Sequence, residues 1–210
     1  LNIDEALERV TIGMKSKPLQ DYTKKRLVAY HEIGHALISK FLPNTDQVSK
    51  ITILPRSQGI QGFTRFEPNE DVIDSGLATK SYLYSKIVVS FGGRAAEIIV
   101  FGNNEITQGA SNDIEYATSL ARQMVTKFGF SNLGPLSLES DSNKFNINSG
   151  ILSEGKTHAE KTNKQIDNQI IIILKSAMIE ALNLLKPRVK LMDKMVEILI
   201  EEETIDFKLF

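Results

Sequence analysis

The chain has 210 residues, 41% hydrophobic and 24% charged, enough to bury a core without covalent staples, which excludes a wholly disordered or collagen-like polymer. Lys+Arg 25 against Asp+Glu 26 leave a net charge of −1, so no bulk field draws the chain to nucleic acid or to an anionic membrane surface. Cysteine is absent, which excludes disulfides, thiolate nucleophiles and thiolate ligands; any bound metal must be held by nitrogen and oxygen.

In chain order, residues 1–12 read as a short helix with Leu7, Val10 and Met14 on one stripe, and Lys15-Ser16-Lys17-Pro18 as a linker. The chain opens on Leu1 rather than Met and has no basic-then-apolar leader, which reads as a piece of a longer protein whose targeting or membrane segment lies elsewhere. A long helix over roughly 22–42 follows, with Thr23 as its expected cap and Pro43-Asn44 as its stop. Its packed side is Leu27, Tyr30, Gly34, Ala36, Leu37 and Phe41. The period then changes: Val48, Ile51 and Ile53, and after Ser57-Gln58-Gly59 also Phe63 and Phe66, predict two short paired strands.

A largely buried helix is expected over 79–101, with Gly92-Gly93 inside it. The next starts at Ser111 as N-cap, with Asp113 and Glu115 in its first turn, and stops at Gly129. Residues 131–156, rich in Ser, Asn and Gly, read as a surface loop. Helices over 157–185 and 188–203, with Pro187 at the first turn of the second, form an expected C-terminal helical hairpin. The densest apolar run, Ile170 to Leu174, falls far short of the ~20 residues of a membrane-spanning helix. The expected fold is mainly α with a small β hairpin or sheet: a linker over 1–17, a core over 18–130, the loop, and the helical hairpin over 157–210 in the same domain.

His31-Glu32-Ile33-Gly34-His35 is an H-E-x-x-H pattern inside the long predicted helix. Spacing i, i+4 puts both imidazoles on one face, about 6 Å apart at Cβ. Two Nε2 atoms can then meet one Zn²⁺ at about 2.0–2.1 Å. Glu32 sits beside the open coordination position, where it can take a proton from a zinc-bound water of pKa about 7 and pass it to a leaving amine. The plain alternative is a chance pair of structural histidines. The motif uses two of the chain's 3 histidines and lies on a helix, which favours the metal.

Such a site needs a third protein ligand. The metzincin extension requires Gly and His where Ile38 and Phe41 stand, so that class is excluded. What remains is a downstream carboxylate or His158, and His158, in a polar stretch, reads as a solvated surface residue. Asp113 lies at a helix start, where an acid also simply favours the helix dipole. Glu97 lies in Gly92-Gly93-Arg94-Ala95-Ala96-Glu97, where an ion pair with Arg94 one turn earlier is the plainer role. Spacing alone does not choose between them.

Ala29-Tyr30-His31-Glu32-Ile33-Gly34-His35-Ala36, then Phe91-Gly92-Gly93-Arg94-Ala95-Ala96-Glu97, then Thr107-Gln108-Gly109-Ala110-Ser111-Asn112-Asp113, resemble in order the three signatures of the FtsH family. These are ATP-dependent, membrane-anchored zinc proteases of the AAA+ class. The ending Glu201 to Asp206 also resembles the family, as does Ala6-Leu7-Glu8-Arg9-Val10, which in the family leads out of the ATPase module. The resemblance implies one Zn²⁺ held by His31, His35 and Asp113, Glu32 as the catalytic base, and Glu97 beside the ligands rather than among them.

It further implies a zincin-like endopeptidase acting on unfolded or threaded polypeptides, in a homo- or hetero-hexamer anchored to a plastid thylakoid or bacterial inner membrane by segments outside this chain. The chain itself is then soluble, with 1–17 as the link to the ATPase module. ATP would serve the full-length protein; no G-x-x-x-x-G-K-[ST] loop occurs here, so this chain corresponds to the peptidase module. Ile98 stands where the family often has a second Glu, and Thr107-Gln108 where it commonly has two Thr; neither is an expected ligand. Asp74-Ser75-Gly76-Leu77 and Ser81-Tyr82-Leu83 are most similar to cyanobacterial and plastid members. The competing expectation is a non-catalytic hexamer-forming module; the intact His31, Glu32, His35 and Asp113 favour the enzyme. The segment from Ile51-Thr52-Ile53 to Gly62-Phe63-Thr64 follows the zinc helix closely and is expected to take substrate as an added strand.

Overall fold

A computed structural model describes residues 3–11, 13–57, 59–137 and 160–207. The fold is built around helix α2 (Tyr22–Phe41), buried without a break from Val28 to Ser39. A helix apolar on one stripe only would need one neighbour; this one is enclosed on all sides. Its cap is Asp21, not Thr23: Oδ1 of Asp21 accepts from the backbone N of Thr23 at 2.9 Å and of Lys24 at 3.4 Å. The acid just outside the helix satisfies the first free N–H groups, which a Thr already inside it cannot do.

Helix α1 (Ile3–Thr11) forms as expected, but two residues of the expected apolar stripe face solvent. Val10 is 83% and Met14 65% exposed, and Glu8 is the side chain that faces inward. Its carboxylate lies between Arg56 Nη2 at 2.5 Å and Lys50 Nζ at 2.8 Å, so α1 docks on the sheet by charge.

The two expected strands, β1 (Gln47–Thr52) and β2 (Phe63–Glu67), pair antiparallel. They are joined by β3 (Thr204–Asp206) in the order β2-β1-β3, so the hairpin is part of a three-stranded sheet. Three residues are too few to show alternation, which is why the sequence pattern missed β3. Beyond the sheet comes the short α3 (Glu70–Ser75), also unforeseen. The single helix expected over 79–101 is two: α4 (Lys80–Ser90) and α5 (Gly92–Phe101), parted at Phe91 with φ −80 and ψ −1. The break re-aims the chain so that α5 lies along α2.

Helix α6 (Ser111–Thr126) is entered through a 3-10 turn at Gln108–Ala110. Ser111 is not its cap: the Ser111 hydroxyl donates to the Gln108 carbonyl at 2.5 Å, and Ala110 holds the cap position. The helix ends before Gly129, whose φ of +65 lets the chain reverse. Helices α7 (Glu160–Leu185) and α8 (Val189–Glu202) follow, linked by a 3-10 turn that holds Pro187. α7 packs on α4, α5 and α6, and α8 on α2. Ile170 and Ala177 of α7 and Met192 and Leu199 of α8 share one core with Ile33, Ile38 and Ile87. Most of the expected loop over 131–156, and His158 with it, lies outside the described residues. Among the described residues no helix is long and apolar enough to cross a membrane.

The α2–α5 contact is backbone to backbone. A Cβ on Gly34 would collide with the Gly92 carbonyl and Ala96, and one on Gly92 would collide with the backbone of His35. An alanine normally gains about 1 kcal/mol over glycine in a helix. At Gly34 that gain meets a rigid carbonyl, and overpacking of this kind costs about 1–3 kcal/mol. Gly34→Ala should therefore lower the midpoint of urea unfolding; a midpoint at or above wild type would mean that the helices do not meet at their backbones.

Candidate metal centre

One face of α2 presents His31 and His35, 8% and 6% exposed. Their Nε2 atoms are 3.1 Å apart. Asp113, in the first turn of α6, brings Oδ2 to 3.2 Å from His31 Nε2 and 3.5 Å from His35 Nε2. The ligand atoms of these three residues all lie within 4.8 Å of one another. Two imidazole nitrogens and a carboxylate oxygen converging on one point fit a zinc ion with a further position left open.

Each ring is held in the orientation this requires. His35 Nδ1 faces the Val89 carbonyl at 2.8 Å, where it can only donate, which turns Nε2 toward Asp113. His31 Nδ1 donates to Glu97 Oε1 at 2.8 Å. Glu97 is fully buried on α5, brought in because Gly93 has no side chain; a Cβ there would land on the His31 ring. Its other oxygen, Oε2, accepts the backbone N–H of Thr107 at 2.7 Å. One carboxylate thus ties the helix of the histidines to the turn that carries Asp113. Arg94 is not its ion-pair partner: the guanidinium Nη2 donates to the Thr107 carbonyl at 2.8 Å and fixes the same turn from its other side.

Glu32, 7% exposed, reaches the sheet. Its Oε2 accepts from Thr64 Oγ1 of β2 at 2.8 Å. Thr64, Thr107 and Val89 were not assigned from the sequence. A carbonyl contact such as that of Val89 leaves no trace in residue identity, and Thr64 joins Glu32 only through strand register. Thr107 did carry a signal, a Thr two residues before a glycine; its Oγ1 accepts from Gly109 N and shapes the turn.

The charges reinforce one another. Burial opposes a charged His31, but hydrogen bonds to Asp113 and Glu97 outweigh it and push His31 up to about 10. Burial likewise opposes an ionised Asp113, yet the two histidines hold it well below the usual carboxylate range. Glu97 is drawn down too, against its burial, by His31 and the Thr107 N–H. Glu32 is the exception: burial pushes it up, and His31, His35 and Thr64 only partly compensate.

Peptidase family M41 matches the chain over residues 18–210. The chain is 43% identical over 208 residues to an ATP-dependent zinc metalloprotease FtsH of Cyanidium caldarium, covering 99% of this chain and 33% of that protein. It is 41% identical over 203 residues to the chloroplastic ATP-dependent zinc metalloprotease FTSH 2 of Arabidopsis thaliana, covering 97% and 28%. With FtsH 3 of Synechocystis sp. it shares 39% identity over 206 residues, covering 97% and 33%. The chain thus spans about a third of the length of these relatives.

The geometry predicts two unequal losses. Asp113→Ala should nearly empty the metal site, whereas Glu97→Ala should cost about 10–100-fold in zinc affinity; metal analysis of the purified variants checks this, and full zinc in Asp113→Ala with none in Glu97→Ala would reverse the roles. With Asp113 and Glu97 pushing His31 up to about 10, a zinc ion bound at Nε2 would have to displace a proton there. Zinc uptake at pH 7 should therefore release about one proton per site. Titration calorimetry in buffers of different ionisation enthalpy reads that number, and a value near zero would contradict the charge state.

Proposed function

Because the chain belongs to peptidase family M41, we propose that it is the peptidase part of an ATP-dependent zinc metalloprotease and that it cleaves peptide bonds with Glu32 as base beside a zinc ion held by His31, His35 and Asp113. The observation that carries this reading is the convergence of the two α2 histidines and Asp113 with Glu32 on the same helix.

Zinc, when bound, supplies a Lewis acid that polarises the scissile carbonyl and acidifies the attacking water. The protein supplies the rest. Glu97 and the Val89 carbonyl fix the two imidazole rings with Nε2 inward. Glu32, beside His31 in sequence and enclosed between α2 and β2, takes the water's proton at its carboxylate and delivers it to the leaving amine. Burial raises the proton affinity of Glu32, which suits a group that must accept and return a proton near neutral pH.

Substrate is taken to pair along β2. β1 is flanked by β2 and β3, which leaves β2 as an outer strand, and that strand reaches the base through Thr64. Backbone pairing accepts many sequences, as a protease fed unfolded or threaded chains requires. ATP-driven delivery, hexamer assembly and membrane attachment at a thylakoid or bacterial inner membrane belong to the same proposal. They rest on relatives named as ATP-dependent FtsH proteases, chloroplastic in Arabidopsis thaliana and also found in Synechocystis sp..

Glu32→Gln should retain zinc and lose hydrolysis of unfolded casein by about 10²–10⁴-fold, because the amide keeps the shape but cannot accept the proton. Digestion at the wild-type rate with zinc in place would remove Glu32 from the mechanism.

A further inference from the structure

We propose that Thr64 positions the base: its hydroxyl occupies Oε2 of Glu32 and leaves Oε1 as the oxygen that receives the proton. This rests on the reading of Glu32 as base. Thr64 Oγ1 lies 2.8 Å from Glu32 Oε2 and 3.2 Å from the Glu32 backbone carbonyl. A hydroxyl has one hydrogen, and the ionised oxygen at the shorter distance takes it. Among the described residues it is the only hydrogen bond to the Glu32 carboxylate.

The fold goes to some length to make this contact. In the β1–β2 register Thr64 stands opposite Ile51, which is fully buried, so both face α2. Packing alone at such a position is served by a valine of the same shape; the hydroxyl is surplus to packing. Two residues earlier, Gly62 is pressed so close to α2 that a Cβ would meet Val28, the Thr52 carbonyl and the Cγ of Glu32 itself. The strand can approach the base only because Gly62 has no side chain.

The consequence for the reaction is a fixed division of labour between the two carboxylate oxygens. The water oxygen bonds to the scissile carbon and its proton goes to Oε1. The carbon–nitrogen bond then breaks, and the same proton passes from Oε1 to the leaving amine, so the carboxylate is restored. The Thr64 hydroxyl keeps its own hydrogen throughout. Because Thr64 belongs to the outer strand, the strand proposed to align the substrate also aligns the base. Displacement of a reacting group by about 1 Å can cost about a hundredfold.

The test compares Thr64→Val, Thr64→Ala and Thr64→Ser in the zinc-loaded full-length protein, with an unstructured fluorogenic peptide as substrate. Val and Ala both remove the hydroxyl, with and without its volume; Ser retains it. We expect kcat to fall about 10–100-fold in Val and Ala, with KM and zinc content unchanged, and Ser to stay within about threefold of wild type. Crystal structures should show the Glu32 carboxylate turned from its wild-type orientation in Val and unchanged in Ser. In a Glu32→Gln background, Thr64→Val should cause no further loss. Wild-type kcat in Thr64→Val, or a loss in Ser equal to that in Val, overturns the role of Thr64 while leaving Glu32 as base. An active Glu32→Gln enzyme would instead overturn the reading beneath it.

Discussion

Where α5 crosses α2, two helices meet with almost nothing between them. Gly34 and Gly92 bring backbone against backbone, and Gly93 leaves room for the His31 ring. Only at that distance can the carboxylate of Glu97, itself on α5, reach His31 Nδ1. Everything at the centre follows from this approach. Glu97 reaches on to the Thr107 N–H, Thr107 shapes the turn into α6, and that turn delivers Asp113, whose short side chain needs its helix start brought right up to the histidines. Phe91, at the break between α4 and α5, is the joint that lets α5 take this course.

Such a centre gathers charge where water is scarce. His31 faces two carboxylates, Glu97 and Asp113, and their hydrogen bonds favour a proton on its ring. A metal bound at His31 Nε2 would compete with a proton for that position. Glu32 takes part in this balance, since its charge also favours a proton on His31. It shares a helix with His31 and His35 yet makes its hydrogen bond to the sheet, and its raised proton affinity comes first from burial, with the charge of Asp113 adding to it.

Much of this was legible in the sequence, and the limits of legibility are physical. The H-E-x-x-H spacing dictates its own geometry as soon as α2 is a helix, and the apolar run of α2 made that plain. The choice of Asp113 over Glu97 was not legible from spacing, because either carboxylate could arrive from another helix; it came from the resemblance to FtsH proteins, and the structure brings Asp113 to Nε2 and Glu97 to Nδ1. Fine boundaries failed where a neighbour decided them. Asp21 outcompeted Thr23 because capping depends on which residue stands just outside the helix. The helix over 79–101 broke because packing on α2 outweighed its continuous apolar pattern. β3 is too short to announce itself, and the inward turn of Glu8 depends on Lys50 and Arg56, more than forty positions away.

The central claim is that His31, His35 and Asp113 form one zinc site with Glu97 behind it. Anomalous diffraction at the zinc edge from crystals of the zinc-loaded protein tests it most directly. The account predicts one peak at about 2.0–2.2 Å from His31 Nε2, His35 Nε2 and an Asp113 carboxylate oxygen, with Glu97 still on His31 Nδ1. A peak coordinated by Glu97 or His158 in place of Asp113 would contradict it.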